Sequence, residues 1–310
     1  MRKPGQKLGF FMAVALVMGN MIGSGVFLLP ASLAPYGWNA VAGWIVTIAG
    51  ALCLAHVLAK ITGEKGCAVG PAELVERSFG PLAGFLIGFS FWVSVWAGTV
   101  TISIGAVSYA SSFLPILGQY PALSSLGVIW AMTLINIIGT RSAGGFQLLT
   151  TILKLTPLLV VAILIAMVLG REGSAALAPF PEEGLSLPAV NAAAALTLWA
   201  MVGFEAACAA SGKIADPERN VPRATFLGAL LTGIIYLIVC SGVTLMLPAN
   251  EVAGSAAPFE LFVAEYWSPG PAAFVALFAA ISAVGAVNGW TLVQGEVPYE
   301  MARRRLMPAW

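Results

Sequence analysis

Charge is what this chain has least of. Only 9% of its 310 residues are charged, against about 25% in an ordinary soluble domain. Such a chain cannot clothe a globular surface in water-seeking groups, so a soluble fold is excluded. Histidine is nearly absent. His56 stands alone, which excludes a multi-histidine metal site, and it reads as an interfacial helix residue. The cysteines are Cys53, Cys67, Cys208 and Cys240, with no C-x-x-C spacing. They imply no disulfide framework. No Walker A sequence, dinucleotide fingerprint or nucleophile elbow occurs. No enzyme activity, ATP hydrolysis, cofactor, metal or nucleic-acid partner is therefore expected.

Apolar residues fill the space that charge leaves. They make up 59% of the chain, and the mean hydropathy is +0.91. A membrane-crossing helix needs about 20 such residues. Eight runs qualify: 8–35, 38–62, 81–113, 121–140, 146–170, 189–212, 223–247 and 271–297. With the N-terminus in the cytoplasm and one crossing per run, the sparse cations sort by side. Of 15 lysines and arginines, only Arg171 falls outside and Lys154 within a run. The other 13 are cytoplasmic, as the positive-inside rule requires. The outer loops carry Glu172, Glu182, Glu183, Glu251, Glu260 and Glu265. A short interfacial helix is expected at Pro71–Arg77 and an outer amphipathic helix around Phe259–Tyr266.

The first run interrupts itself. Leu8 to Met18 is apolar, then comes Gly19-Asn20-Met21-Ile22-Gly23-Ser24-Gly25, then Val26-Phe27-Leu28-Leu29-Pro30. Glycine, serine and asparagine are poor helix formers. Irregular backbone survives at membrane depth only where protein or a wet cavity satisfies it. The sixth run repeats the pattern with Gly203 and Glu205 in mid-segment. Two interrupted runs, five apart in order, point to a transporter of two inverted repeats. On that reading Gly23, Gly25 and Gly203 break helices, and the half-helix after Ser24 aims its amide groups at an anion such as a carboxylate. Close packing through Gly19-x-x-x-Gly23 is the alternative.

Four further residues stand out. Glu205 lies at membrane depth with no lysine or arginine near it in sequence, so it is either a proton-sensitive gate or an acid that braces the break. Lys154, about eight residues into the fifth run, is too deep for easy snorkelling. It is either a fixed ammonium that replaces a coupling cation and carries a proton, or a headgroup-reaching residue. Trp199 and Trp290 sit in mid-run, away from the interfacial belts that tryptophan favours. Each either stacks on an organic cation or closes a gate, or simply packs.

The motifs together resemble a known family. Gly19 to Pro30 is similar to the first helix of the amino acid–polyamine–organocation transporters, and most similar to the bacterial arginine–agmatine and putrescine–ornithine antiporters. Trp199-Ala200-Met201-Val202-Gly203-Phe204-Glu205-Ala206 resembles their sixth helix. Pro217-Glu218-Arg219-Asn220-Val221-Pro222 resembles the loop after it, and Gly289-Trp290-Thr291-Leu292 their eighth helix. The resemblance implies an all-α membrane protein with a five-plus-five inverted-repeat, LeuT-like fold and discontinuous helices 1 and 6. Residues 1–310 form one transporter domain, with a first repeat at 8–170 and an incomplete second at 189–310. It implies secondary amino-acid transport or amino acid/amine exchange across the bacterial inner membrane, with protons and the lipid bilayer as partners and a homodimer as an allowed assembly. An amino-acid-binding sensor or an inactive truncated transporter is the alternative.

By that resemblance Ser24 and Gly25 bind a substrate carboxylate, and carbonyls near Met21, Trp199 and Val202 hold its α-ammonium. Trp199 gates, Glu205 senses protons and Trp290 stacks on a guanidinium-type side chain. The chain departs from the arginine antiporters at Thr99, Ile102 and Phe91, which counts against an arginine-type substrate. Lys154 is similar instead to proton-coupled members of the superfamily. The chain also ends at Trp310, in what resembles the loop after helix eight of a twelve-helix protein, so helices nine to twelve are expected to be missing.

Overall fold

The computed structural model describes residues 9–23, 25–62, 71–138, 140–205, 207 and 214–307. Over these the chain is helical: α1 (Phe10–Met21), α2 (Gly25–Leu33), α3 (Trp38–Thr62), α4 (Pro71–Phe79), α5 (Pro81–Ala110), α6 (Pro115–Gln119) and α7 (Pro121–Ile138). Then follow α8 (Thr140–Glu172), α9 (Leu187–Ala200), α10 (Pro217–Met246), α11 (Ala249–Gly254), α12 (Pro258–Tyr266) and α13 (Pro269–Arg303). Proline opens many of them, for example α5, α10 and α12. Its fixed φ suits the first helical turn, where its missing N–H costs nothing.

Five helices are long and apolar enough to cross a membrane: 38–58, 81–110, 153–176, 217–246 and 269–303. The pair formed by α1 and the segment Gly25–Tyr36 passes the same test together, with a bend of 49°, and makes a sixth if it is one span. The first correction is one of count: among the described residues at most six of the eight expected runs pass this test. α7 and α9 are shorter apolar helices. At 1.5 Å per residue, the 14 residues of α9 reach about 21 Å, short of a roughly 30 Å hydrocarbon core. The sixth apolar run continues beyond Ala200, but as a turn through 201–205 rather than as helix. Residues 206 and 208–213 of that run lie outside the described residues. A second correction concerns the fourth and fifth runs: α8 begins at Thr140, so the loop expected at 141–145 is helical.

Two groupings organise the packing. α10 lies against α1 and α3, and α3 against α9, around a core that includes Trp44 and Tyr236 with ring centroids 5.7 Å apart. α13 packs on α5, α7 and α8. The broken segment α1–α2 runs between these groupings, touching α10, α9 and α5.

The expected interfacial helix is present as α4, and the end of α13 clasps it. Arg304 pairs with Glu73 and, at 3.1 Å, with Glu76, while Arg77 pairs with Glu73 at 2.7 Å. Burial pushes the Glu73 carboxyl up, but the hydrogen bonds and charges of Arg304 and Arg77 outweigh it and hold it below its ordinary 4.5. A carboxyl lowered on folding stabilises above its unfolded value, and that contribution fades as pH falls through the folded one. Glu73→Gln is expected to cost roughly 1 kcal/mol at neutral pH. In thermal melts the gap to the native chain should hold above about pH 5 and narrow below 4.5.

Candidate functional site

The α1 helix ends because its backbone changes partners. Ile22 N–H still reaches the Met18 carbonyl at 2.8 Å, but Gly23 N–H turns to Met21 at 2.8 Å, and Ile22 itself has ψ of 88°. α2 starts again at Gly25. The chain after α9 breaks by a turn in which Met201 N–H bonds Leu198 at 3.1 Å and Val202 N–H bonds Trp199 at 3.3 Å. Gly203 follows with φ of +115°.

The two breaks fit into one another. A Cβ on Gly203 would lie 2.9 Å from the carbonyl carbon and oxygen of Asn20 and 3.0 Å from Met21 N. A Cβ on Gly25 would lie 2.5 Å from Cζ3 of Trp199. Glycine at these two positions lets backbone meet backbone and indole meet backbone. Any side chain would drive them apart.

Carbonyls freed at a helix end must find other donors. Here side chains of α8 and α10 supply them at the end of α1, and side chains of α10 and α5 reach two carbonyls in the first turn of α2, where Pro30 has no N–H to give Val26 O. Lys154 of α8, only 2% exposed, donates from Nζ to the Gly19 carbonyl at 3.1 Å. Its charge thus sits at the C-terminal, negative end of α1. Tyr236 of α10 donates to Met21 O at 2.8 Å, and one turn on Cys240 Sγ approaches Val26 O at 3.7 Å. Tyr109 of α5 donates to Phe27 O at 2.7 Å. On the other break Glu205 Oε2 accepts from Gly203 N–H at 3.0 Å.

Between the breaks, α5 and α13 lies a cavity of about 380 Å³, within the few-hundred-Å³ range of small-molecule sites. Met21, Gly23 and Gly25 line it from the first break, and Trp199 and Val202 from the second. α5 contributes Phe91, Ser94, Gly98, Thr101 and Ile102, and α13 contributes Trp290. Seven residues singled out from sequence for the site therefore share one wall: Met21, Gly23, Gly25, Ile102, Trp199, Val202 and Trp290. Ser24 lies outside the described residues.

Three others stand elsewhere. Thr99 is buried on another face of α5, with its hydroxyl donated to Val95 O at 2.8 Å, so it is corrected from a lining to a packing position. Lys154 and Glu205 do not line the cavity but support its two edges from behind. The Met21 carbonyl already accepts from Gly23 N–H and Tyr236, which occupies both of its lone-pair directions. Sequence reasoning missed Asn20, Ser94, Gly98 and Thr101 of the lining, and Tyr109, Tyr236 and Cys240 among the caps. The available signal was a tyrosine inside an apolar run, with a cysteine four residues on along the same face.

The profile described as amino acid permease matches residues 8–310. The chain belongs to the amino acid permease family. Over 293 residues this chain is 32% identical to a cadaverine/lysine antiporter of Escherichia coli strain K12, covering 94% of the chain and 66% of the relative. Over 300 residues it is 30% identical to the putrescine transporter PotE of the same strain, with the same two coverages. The permease chain thus spans 66% of the length of these relatives. Family membership and the apolar helices make it a multi-pass membrane protein.

Proposed function

We propose that the chain is the substrate-binding part of a secondary transporter that moves amino acids, or exchanges amino acids and amines, by alternating access. The observation that carries this reading is the cavity of about 380 Å³ enclosed by two helix breaks that touch one another. The names of the relatives support it, since both are carriers of small amino compounds. The first N–H groups of α2, which have no partner within their own helix, suit a carboxylate, and Trp199, packed on Gly25, moves when that contact opens. Residues 8–170 and 189–310 form the two inverted repeats, the second incomplete. Ser24 and Gly25 take the carboxylate, with carbonyls near Trp199 and Val202 on the ammonium. Lys154 holds the α1 terminus in place of a coupling cation and exchanges protons, while Glu205 couples protonation to the shape of the second break. The N-terminus faces the cytoplasm, with the protein in the bacterial inner membrane.

Uptake of labelled amino acid into proteoliposomes tests the reading. The native chain is expected to show saturable uptake, and Trp199→Leu to reduce it about tenfold through loss of the indole wall. Amino-acid binding without flux would favour a sensor instead, and equal uptake by both proteins would contradict the site.

A further inference from the structure

We infer that the cavity selects a neutral amino acid with an apolar side chain and discriminates against diamines and basic amino acids, an inference that rests on the transport reading of this cavity. Among the described residues, the lining holds no carboxylate. Its polar side chains are Asn20, Ser94 and Thr101, and each turns its hydrogen back on its own helix. Asn20 Nδ2 donates to Leu16 O at 2.9 Å, Ser94 Oγ to Phe91 O at 2.6 Å and Thr101 Oγ1 to Ala97 O at 2.8 Å. Glu205 lies three residues beyond the lining Val202, but its carboxylate is turned to Gly203 N–H. The ammonium of Lys154 is seated on Gly19 O, in the residue next to the lining Asn20. It adds positive charge behind the first break and none of the negative charge that a second substrate cation would need.

An α-ammonium and an α-carboxylate can be met by backbone groups of the two breaks, as zwitterions require. A side-chain ammonium would meet only neutral acceptors, the Asn20 amide oxygen and the lone pairs of Ser94 and Thr101, with no carboxylate to balance its charge, and a desolvated charge without a counter-charge is strongly disfavoured. The remaining wall is apolar: Phe91, Ile102 and Trp290 surround Gly98, where an added Cβ would meet no atom within 4 Å. That open space suits the body of an aliphatic or aromatic side chain. The indoles alone could attract a cation, but the lining supplies no negative charge to hold it.

Equilibrium dialysis of the full chain in lipid nanodiscs, with labelled L-leucine, L-phenylalanine, L-lysine and cadaverine, tests the inference. Leucine or phenylalanine is expected to bind at least about tenfold more tightly than lysine, and cadaverine, which lacks the carboxylate, most weakly. Thr101→Asp, which supplies a carboxylate at the wall, is expected to raise lysine affinity at least about tenfold. Lysine or cadaverine binding as tightly as leucine would overturn the neutral class and leave the transport reading standing. A Thr101→Asp protein that melts like the native one yet gains no lysine affinity would likewise overturn it. Binding of none of the four compounds would overturn the cavity as a substrate site and the transport reading with it.

Discussion

Gly203→Val is expected to abolish transport and to destabilise the protein by several kcal/mol. Two effects combine. A β-branched residue at φ of +115° is strained by about 1–3 kcal/mol. Its Cβ would also stand 2.9 Å from the Asn20 carbonyl, which belongs to backbone and cannot swing aside. Overpacking of this kind costs about 1–3 kcal/mol more. Gly203→Ala carries the same close contact with less bulk, so it should fall between the native chain and the valine variant. Thermal unfolding in detergent measures the first effect and proteoliposome uptake the second. A valine variant that melts and transports like the native chain would show that the two breaks do not depend on touching.

Lys154→Met is expected to reduce uptake at least tenfold and to remove its dependence on a proton gradient. Methionine has similar length but no donor, so the Gly19 carbonyl loses its partner and the end of α1 loses its opposing charge. A hydrogen bond to a charged group contributes roughly 1.5–3 kcal/mol, which corresponds to about tenfold to a hundredfold if it holds the transporting geometry. Lys154→Arg is not expected to restore function, because a planar guanidinium does not fit a site that is only 2% exposed. Uptake measured with and without an imposed proton gradient checks both statements. Gradient-dependent uptake retained by Lys154→Met would remove Lys154 from coupling.

Much of the architecture was legible because hydrocarbon imposes simple rules. The long apolar runs that became α3, α5, α10 and α13 announced themselves by length and lack of charge. The glycine cluster at 19–25 lies where α1 stops and α2 begins. Hydropathy failed at the sixth run, because Met201, Val202 and Phe204 are as apolar in a turn as in a helix. The cavity wall was partly legible through helical period. Phe91, Val95, Gly98 and Ile102 recur at three- and four-residue steps on one face of α5, but Thr99, four residues after Val95 and three before Ile102, fits the same steps and does not line the cavity. The tyrosine and cysteine of α10 stood out in an apolar run, but what they cap was illegible. Tyr236 and Cys240 meet carbonyls 215 and 214 residues away in sequence, and no local pattern reports such a pairing.

The claim on which the rest depends is that the cavity between the breaks is the place through which substrate passes. Gly98→Trp tests it most directly, because the position lines the cavity and an added side chain would meet no atom at its Cβ. The indole should therefore fill the cavity without disturbing the helices around it. In proteoliposomes, with thermal unfolding as the control for folding, a native melting temperature and amino-acid uptake at the level of empty vesicles are expected. Native uptake by a Gly98→Trp protein with an unchanged melting temperature would contradict the claim.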